Sequence, residues 1–173
     1  ESDEELDKRL RVLNDAEKFE ELRNECEEIL KQEPRNFIAM GYLTGALQEL
    51  DNMEQSLDYC NKFLNIYPNH ALILGNKADA LRDLGHLEEA LEFYDKAINE
   101  NTSDTLLMAS KAIALDELGR TADAVALCEK ALALDRNDED ISDAVKDIFE
   151  ETCNQVCELI KEIQKINRIF III

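Results

Sequence analysis

The chain reads as an all-α solenoid of antiparallel helix hairpins, and three observations predict it. A 34-residue unit recurs, so that residues 3–36, 37–70, 71–104 and 105–138 tile the sequence at a fixed step. Such a period marks arrays of supersecondary units that bury their faces only against neighbours. The units also stack in columns of like residues: Leu13, Leu47, Leu81 and Leu115, then Leu30, Leu64, Ile98 and Leu132, then Ala16, Leu50, Leu84 and Leu118. Finally, two Pro and five Gly, no Trp, and abundant Ala, Leu, Glu and Lys are the composition of a helical protein.

The third unit shows the pattern most clearly. Gly85 separates one apolar set, Leu74, Ala78, Leu81 and Leu84, from a second, Leu87, Ala90, Leu91, Tyr94, Ala97 and Ile98. Each set recurs every three or four residues, so each helix carries a single buried stripe. Gly85 lets the backbone turn sharply at little steric cost. The turn column reads Glu17, Asp51, Gly85, Gly119, which makes the later two units the more regular. A larger apolar column holds Leu6, Met40, Leu74 and Met108, and Ser2 with Glu5 forms a capping box at the first helix.

Beyond residue 138 the register fails, because Cys153, Glu158 and Glu162 fall where a turn residue, a small residue and a core residue are required. Residues 139–173 therefore form a separate C-terminal segment, and from Ile141 onward it is one amphipathic stretch without Gly or Pro. As a helix it spans roughly 50 Å, against roughly 20 Å for the second helix of the fourth unit. Its far half keeps an apolar stripe with the alternating steps of a coiled-coil seam. Each large side chain left wet forgoes about 1.5–3 kcal/mol. Leu159, Ile160, Ile163, Ile166 and Phe170 are thus expected to form a homodimer interface, with folding back on the array as the alternative.

Charge and cysteine usage bound the partners. A net charge of −20 excludes a phosphate backbone, so no nucleic-acid partner is expected. It suits a partner carrying Lys or Arg. Five cysteines without a disulfide framework point to a reducing, cytoplasmic setting. The apolar run 169–173 is too short to cross a bilayer, so no membrane partner is expected either. The chain opens on Glu1 rather than Met, as a trimmed or excised chain would.

On these columns the chain resembles the tetratricopeptide repeat family. The third and fourth units carry it best, with small residues at Ala78, Ala90, Ala97, Ala112, Ala124 and Ala131 and turn glycines Gly85 and Gly119. Pro34 and Pro68 keep the proline that often closes a unit, whereas Thr102 and Arg136 do not. The first two units depart at Leu22, Ile29, Ser56 and Phe63. The resemblance implies a right-handed superhelical solenoid closed by a C-terminal capping helix, the role that residues 139–173 fit.

It also implies a concave groove, lined by the first helix of each hairpin, that holds a peptide or a helix. Some family members grip a C-terminal carboxylate with a clamp of Lys, Asn, Asn, Lys and Arg. The corresponding positions here are Asp7, Arg11, Tyr42, Leu72 and Asn76, or one unit further on Gly41, Gly45, Asn76, Leu106 and Ser110, so the clamp is absent. Ile38, Leu72 and Leu106 form an apolar rail instead, with Ile113 along the same groove. Gly41, Gly45 and Gly75 with Ala109 make a floor of little bulk, though such glycines also serve plain helix packing. Tyr42, Asn76 and Ser110 offer hydrogen-bonding groups, and Asp79, Asp83, Asp116 and Glu117 an acidic rim.

The remaining reactive residues have ordinary explanations. Cys26, Cys60 and Cys128 share a column with Tyr94 on the inner face of each second helix, where thiols behave as small hydrophobes. Cys153 and Cys157, spaced i and i+4, put two sulfurs on one side of a helix. Zinc wants four ligands, however, and neither His70 nor His86 is near in sequence. Both histidines are expected at the surface. No phosphate loop, nucleophile elbow, metal-binding motif or paired acid and base is present, so no cofactor, metal or catalytic residue is expected. The chain reads as a non-catalytic scaffold holding an amphipathic, partly basic segment of a protein partner. A self-assembling structural protein is the alternative.

Overall fold

The structure is a computed structural model that describes residues 2–134. Residues 139–173, with the expected interface at Leu159, Ile160, Ile163, Ile166 and Phe170 and the thiols Cys153 and Cys157, lie outside the described residues. Two compact units divide after Thr102, close to the end of the third repeat.

The first unit contains six helices: α1 (Asp3–Asp15), α2 (Phe19–Gln32), α3 (Phe37–Glu49), α4 (Met53–Leu64), α5 (Ala71–Asp83) and α6 (Leu87–Glu100). Each packs on the next in sequence, and among the first helices of the hairpins α3 also packs on both α1 and α5. The second unit contains α7 (Thr105–Glu117) packed on α8 (Thr121–Leu134). The helical hairpin array expected from the 34-residue step is thus the observed fold.

Local chemistry starts and stops these helices. The Glu5 amide donates to Ser2 Oγ and the Ser2 amide donates to Glu5 Oε2, the reciprocal pair of a capping box. Asn36 and Asp104 cap α3 and α7 by accepting from the amides of Ala39 and Leu107, both at 3.0 Å. At the other end all four turn positions have positive φ: Glu17 (55°), Asp51 (59°), Gly85 (80°) and Gly119 (74°). In each hairpin that residue's amide reaches back three residues and the next amide five, as in Gly85 N to Arg82 O and His86 N to Leu81 O, both 2.8 Å. This pair of hydrogen bonds is the Schellman closure, which satisfies carbonyls left over at a helix end. The turn column is one structure written twice with glycine and twice without.

Burial follows the apolar columns. Leu6, Leu10, Leu22, Cys26, Met40, Leu43, Leu47, Cys60 and Ile73 join one continuous core. α3 is apolar nearly all round because helices cover it on several sides, and Thr44 is buried there only by donating to the Met40 and Gly41 carbonyls, each at 3.0 Å. Ser56 ties α4 to α3 through the Thr44 carbonyl at 2.9 Å. The column of Cys26, Cys60, Tyr94 and Cys128 is buried throughout. Burial pushes the thiols of Cys26 and Cys60 up to about 12.

Candidate functional site

A cleft of about 390 Å³ opens where α1, α3 and α5 meet in the first unit. Because side chains at i and i+4 share a helix face, Ile38, Gly41, Tyr42 and Gly45 of α3 all reach it. Leu72 and Asn76, four apart on α5, form the opposite wall, and Asp7 of α1 and Asn14 close a third side. Six of the residues expected to line a groove therefore border one recess. Its mouth is apolar: Leu72 is 50% exposed and Phe37 42%, so both present surface that water covers poorly.

The polar groups of the cleft are largely held in place. The Tyr42 hydroxyl donates to Asp7 Oδ1 at 3.1 Å, and the Arg11 guanidinium pairs with the other oxygen of the same carboxylate. Desolvation raises the Tyr42 hydroxyl above its ordinary value. Asn76 donates through Nδ2 to the Gly41 carbonyl at 3.1 Å and to Thr44 Oγ1 at 2.7 Å, locking α5 to α3. Its Nδ2 is fixed by those acceptors, which leaves Oδ1 turned away from them.

Several expectations need correction. Gly41 is not an open floor, because a Cβ there would lie 2.5 Å from Leu72 Cδ2; the missing side chain makes room for the leucine. Gly45 does leave open space, with Asn76 Nδ2 4.0 Å from its would-be Cβ. Gly75 is buried and does not border the cleft. Asp79 and Asp83 are not a free acidic rim. Asp79 accepts from the buried Tyr94 hydroxyl, and Arg82 lies 3.9 Å from Asp79 and 2.9 Å from Asp83. Their charge is therefore partly neutralised on the spot. His70, expected at the surface, is partly buried against Phe37 and Tyr67, and burial lowers its affinity for a proton. His86 is exposed as expected.

In the second unit Leu106 is 66% exposed, whereas Ser110 and Ile113 are partly buried on the same helix. Asp116 accepts from the Thr121 hydroxyl at 2.8 Å, and Glu117 is exposed. Residues missed in the sequence are Asp7, Asn14, Phe37 and His70. The first two sit on the polar side of α1 with nothing to set them apart, but Phe37 and His70 carry a signal: an aromatic and an imidazole stand at helix starts where solvated residues are usual. Among the described residues no group of His, Cys, Asp and Glu could hold a metal ion, and no helix is long and apolar enough to cross a membrane.

Helix hairpins at a 34-residue step, each closed by the same turn, define a tetratricopeptide repeat protein. Residues 43–150, more than half of the chain, match the model of the Psidin N-terminal TPR repeats region, and the chain belongs to that family. The fold is also that of TTC0263, a thermophilic TPR protein of Thermus thermophilus, with a TM-score of 0.74 at 21% identity over 86% of this chain and 80% of that one. MamA is similar at a TM-score of 0.65, with 15% identity and 82% of each chain covered. The first TPR domain of human RPAP3 gives 0.61 at 17% identity, over 68% of this chain and 92% of the domain. No curated protein sequence matches the chain. The fold is one that serves protein–protein interaction in general.

Proposed function

We propose that this chain is a non-catalytic scaffold that holds a peptide segment of a protein partner in the cleft between α1, α3 and α5. The observation that carries the reading is the recess of about 390 Å³ beside a leucine left half exposed. A chain that leaves such a side chain at the lip of a cavity forgoes burial that a partner restores. The occupant has an apolar side chain for the space among Phe37, Ile38 and Leu72. Its flanks carry Lys or Arg, in keeping with the net charge of −20 and the absence of a cationic clamp. Buried, unpaired thiols at Cys26, Cys60 and Cys128 support a reducing cytosol as its setting.

Leu72→Glu tests the reading. The substitution places a charge at the lip of the cleft but disturbs little else, since half of Leu72 already faces water. Capture of amphipathic Leu- and Lys-containing peptides should be lost while the helical circular dichroism is unchanged. Retained affinity would show that the cleft is the wrong surface. Peptides ending in acidic residues should bind poorly, and binding should weaken as salt screens the charges.

A further inference from the structure

Carboxylates outnumber lysines and arginines by 39 to 19 in this chain, so a cation readily finds one, as Lys18 finds Glu21 and Arg120 finds Asp123. Three lysines of the first unit find aromatic rings instead. On α4 the Lys62 ammonium stands 5.0 Å from the centre of the Tyr59 ring. On α6 Lys96 stands 4.4 Å from the centre of the Phe93 ring, and Lys77 reaches the same ring from α5 at 3.9 Å. None of the three forms an ion pair with a carboxylate. Tyr59 and Lys62 lie 34 residues before Phe93 and Lys96. The aromatic–lysine pair is therefore one feature repeated at the array's own step, on second helices that both pack against α5. None of these residues borders the cleft. Lys77 directly follows Asn76, and a turn of about 100° per residue carries it to another face of α5.

An ammonium carries three N–H donors, and a ring face attracts its charge but offers no lone pair, so donors remain for an oxygen anion. Lys77 is partly buried, and that desolvation holds its amine below the ordinary value. Glu89 offsets part of the effect without closing an ion pair, and Lys96 adds to it. An anion beside a half-desolvated ammonium is attracted more strongly than in open water.

We infer that the face formed by Tyr59, Lys62, Lys77, Phe93 and Lys96 is a second docking surface, and that it takes an acidic, amphipathic segment of a protein partner. The carboxylates of the segment replace water on the ammoniums, and its apolar side chains lie on the exposed parts of the two rings. The net charge of −20 does not forbid this. At about 0.1 M salt, charges more than roughly 10 Å away are largely screened, so a short segment answers to the local lysines. A nucleic acid, charged along its whole length, meets far more of the acidic surface and is repelled. The segment is opposite in sign to the one proposed for the cleft, so one copy holds an acidic and a basic segment on separate faces.

The test uses the full chain and C-terminally amidated peptides in which Leu or Phe recurs every three or four residues between Asp and Glu. Amidation removes the acidic end that the cleft is expected to refuse. Lys62→Gln/Lys96→Gln changes two exposed side chains, and Lys77→Met keeps the stem over Phe93 without its charge. Each lost charge should weaken the acidic peptide about two- to fivefold, with the helical circular dichroism unchanged. The same peptide should still bind Leu72→Glu, and the Lys-containing peptides of the cleft should still bind the lysine variants. Lys8→Gln/Lys18→Gln changes the net charge equally on the first hairpin and should leave the affinity as it was. Equal weakening by the two double variants would show that net charge alone matters, and loss of binding in Leu72→Glu would put the peptide in the cleft; either result overturns the inference. Failure of every acidic peptide to bind overturns it too, and leaves the reading of the cleft untouched.

Discussion

Leu72 lies across Gly41, so closely that a methyl group on the glycine would stand 2.5 Å from Leu72 Cδ2. The contact decides what Gly41→Ala does. The obstructing atom is the tip of a flexible side chain that is half exposed, so the leucine can swing outward. Replacing a mid-helix glycine by alanine meanwhile gains up to about 1 kcal/mol of helix propensity. Stability in urea should therefore change by less than about 1 kcal/mol, whereas peptide affinity should fall because Leu72 no longer lines the cleft. A loss of several kcal/mol would mean that Leu72 cannot move.

The four turns make a stronger stability prediction. Glu17 and Asp51 hold the left-handed conformation that Gly85 and Gly119 adopt without strain. A side chain there costs roughly 1–2 kcal/mol, part of which a glycine returns through its greater freedom when unfolded. Glu17→Gly and Asp51→Gly should each stabilise by up to about 1 kcal/mol, and Gly85→Ala and Gly119→Ala should each destabilise by about 1–2 kcal/mol. Urea melts of the four variants check the two opposite signs.

Tyr94 is wholly buried and its hydroxyl is 2.5 Å from Asp79 Oδ1. Tyr94→Phe keeps the ring and removes a bond to a charged acceptor, for a loss of about 1–3 kcal/mol. Tyr94→Leu should cost more, because it also opens a cavity beneath α5. An unchanged stability in Tyr94→Phe would show that the hydroxyl contributes nothing, and equal losses for the two that the ring adds nothing to it.

The thiols link stability to alkali. In the folded chain burial pushes Cys26 and Cys60 up to about 12, from an ordinary 9.0. Above pH 9 the unfolded chain therefore releases protons that the folded chain keeps. Their contribution is full below that pH and drains away as pH climbs toward about 12. Chemical denaturation should show a steeper loss between about pH 9 and 11 in the parent than in Cys26→Ala/Cys60→Ala, allowing for the cavity offset between them. At neutral pH both thiols should react with a thiol reagent only as fast as the chain opens.

The sequence by itself determined the array, the register and the turns, because these depend on one chain's own periodicity. Apolar residues every three or four positions set which face of each helix is buried, and a repeat of 34 sets which residues are equivalent. The turn column could be located even where Glu17 and Asp51 replaced glycine, since stacking on Gly85 and Gly119 identified it. The polar details of the cleft were not legible in this way. Tyr94 on Asp79 and Tyr42 on Asp7 each join residues of different helices, whose meeting depends on the distance and rotation between those helices, whereas Arg82 pairs with Asp79 and Asp83 within α5, three and one residues away. Gly41 looked like an open floor until the packing of α5 on α3 laid Leu72 over it. His70 is the sharpest case. In sequence it is one more polar residue before a helix, and only the packing of Phe37 and Tyr67 around its ring takes it out of water and turns it toward the cleft.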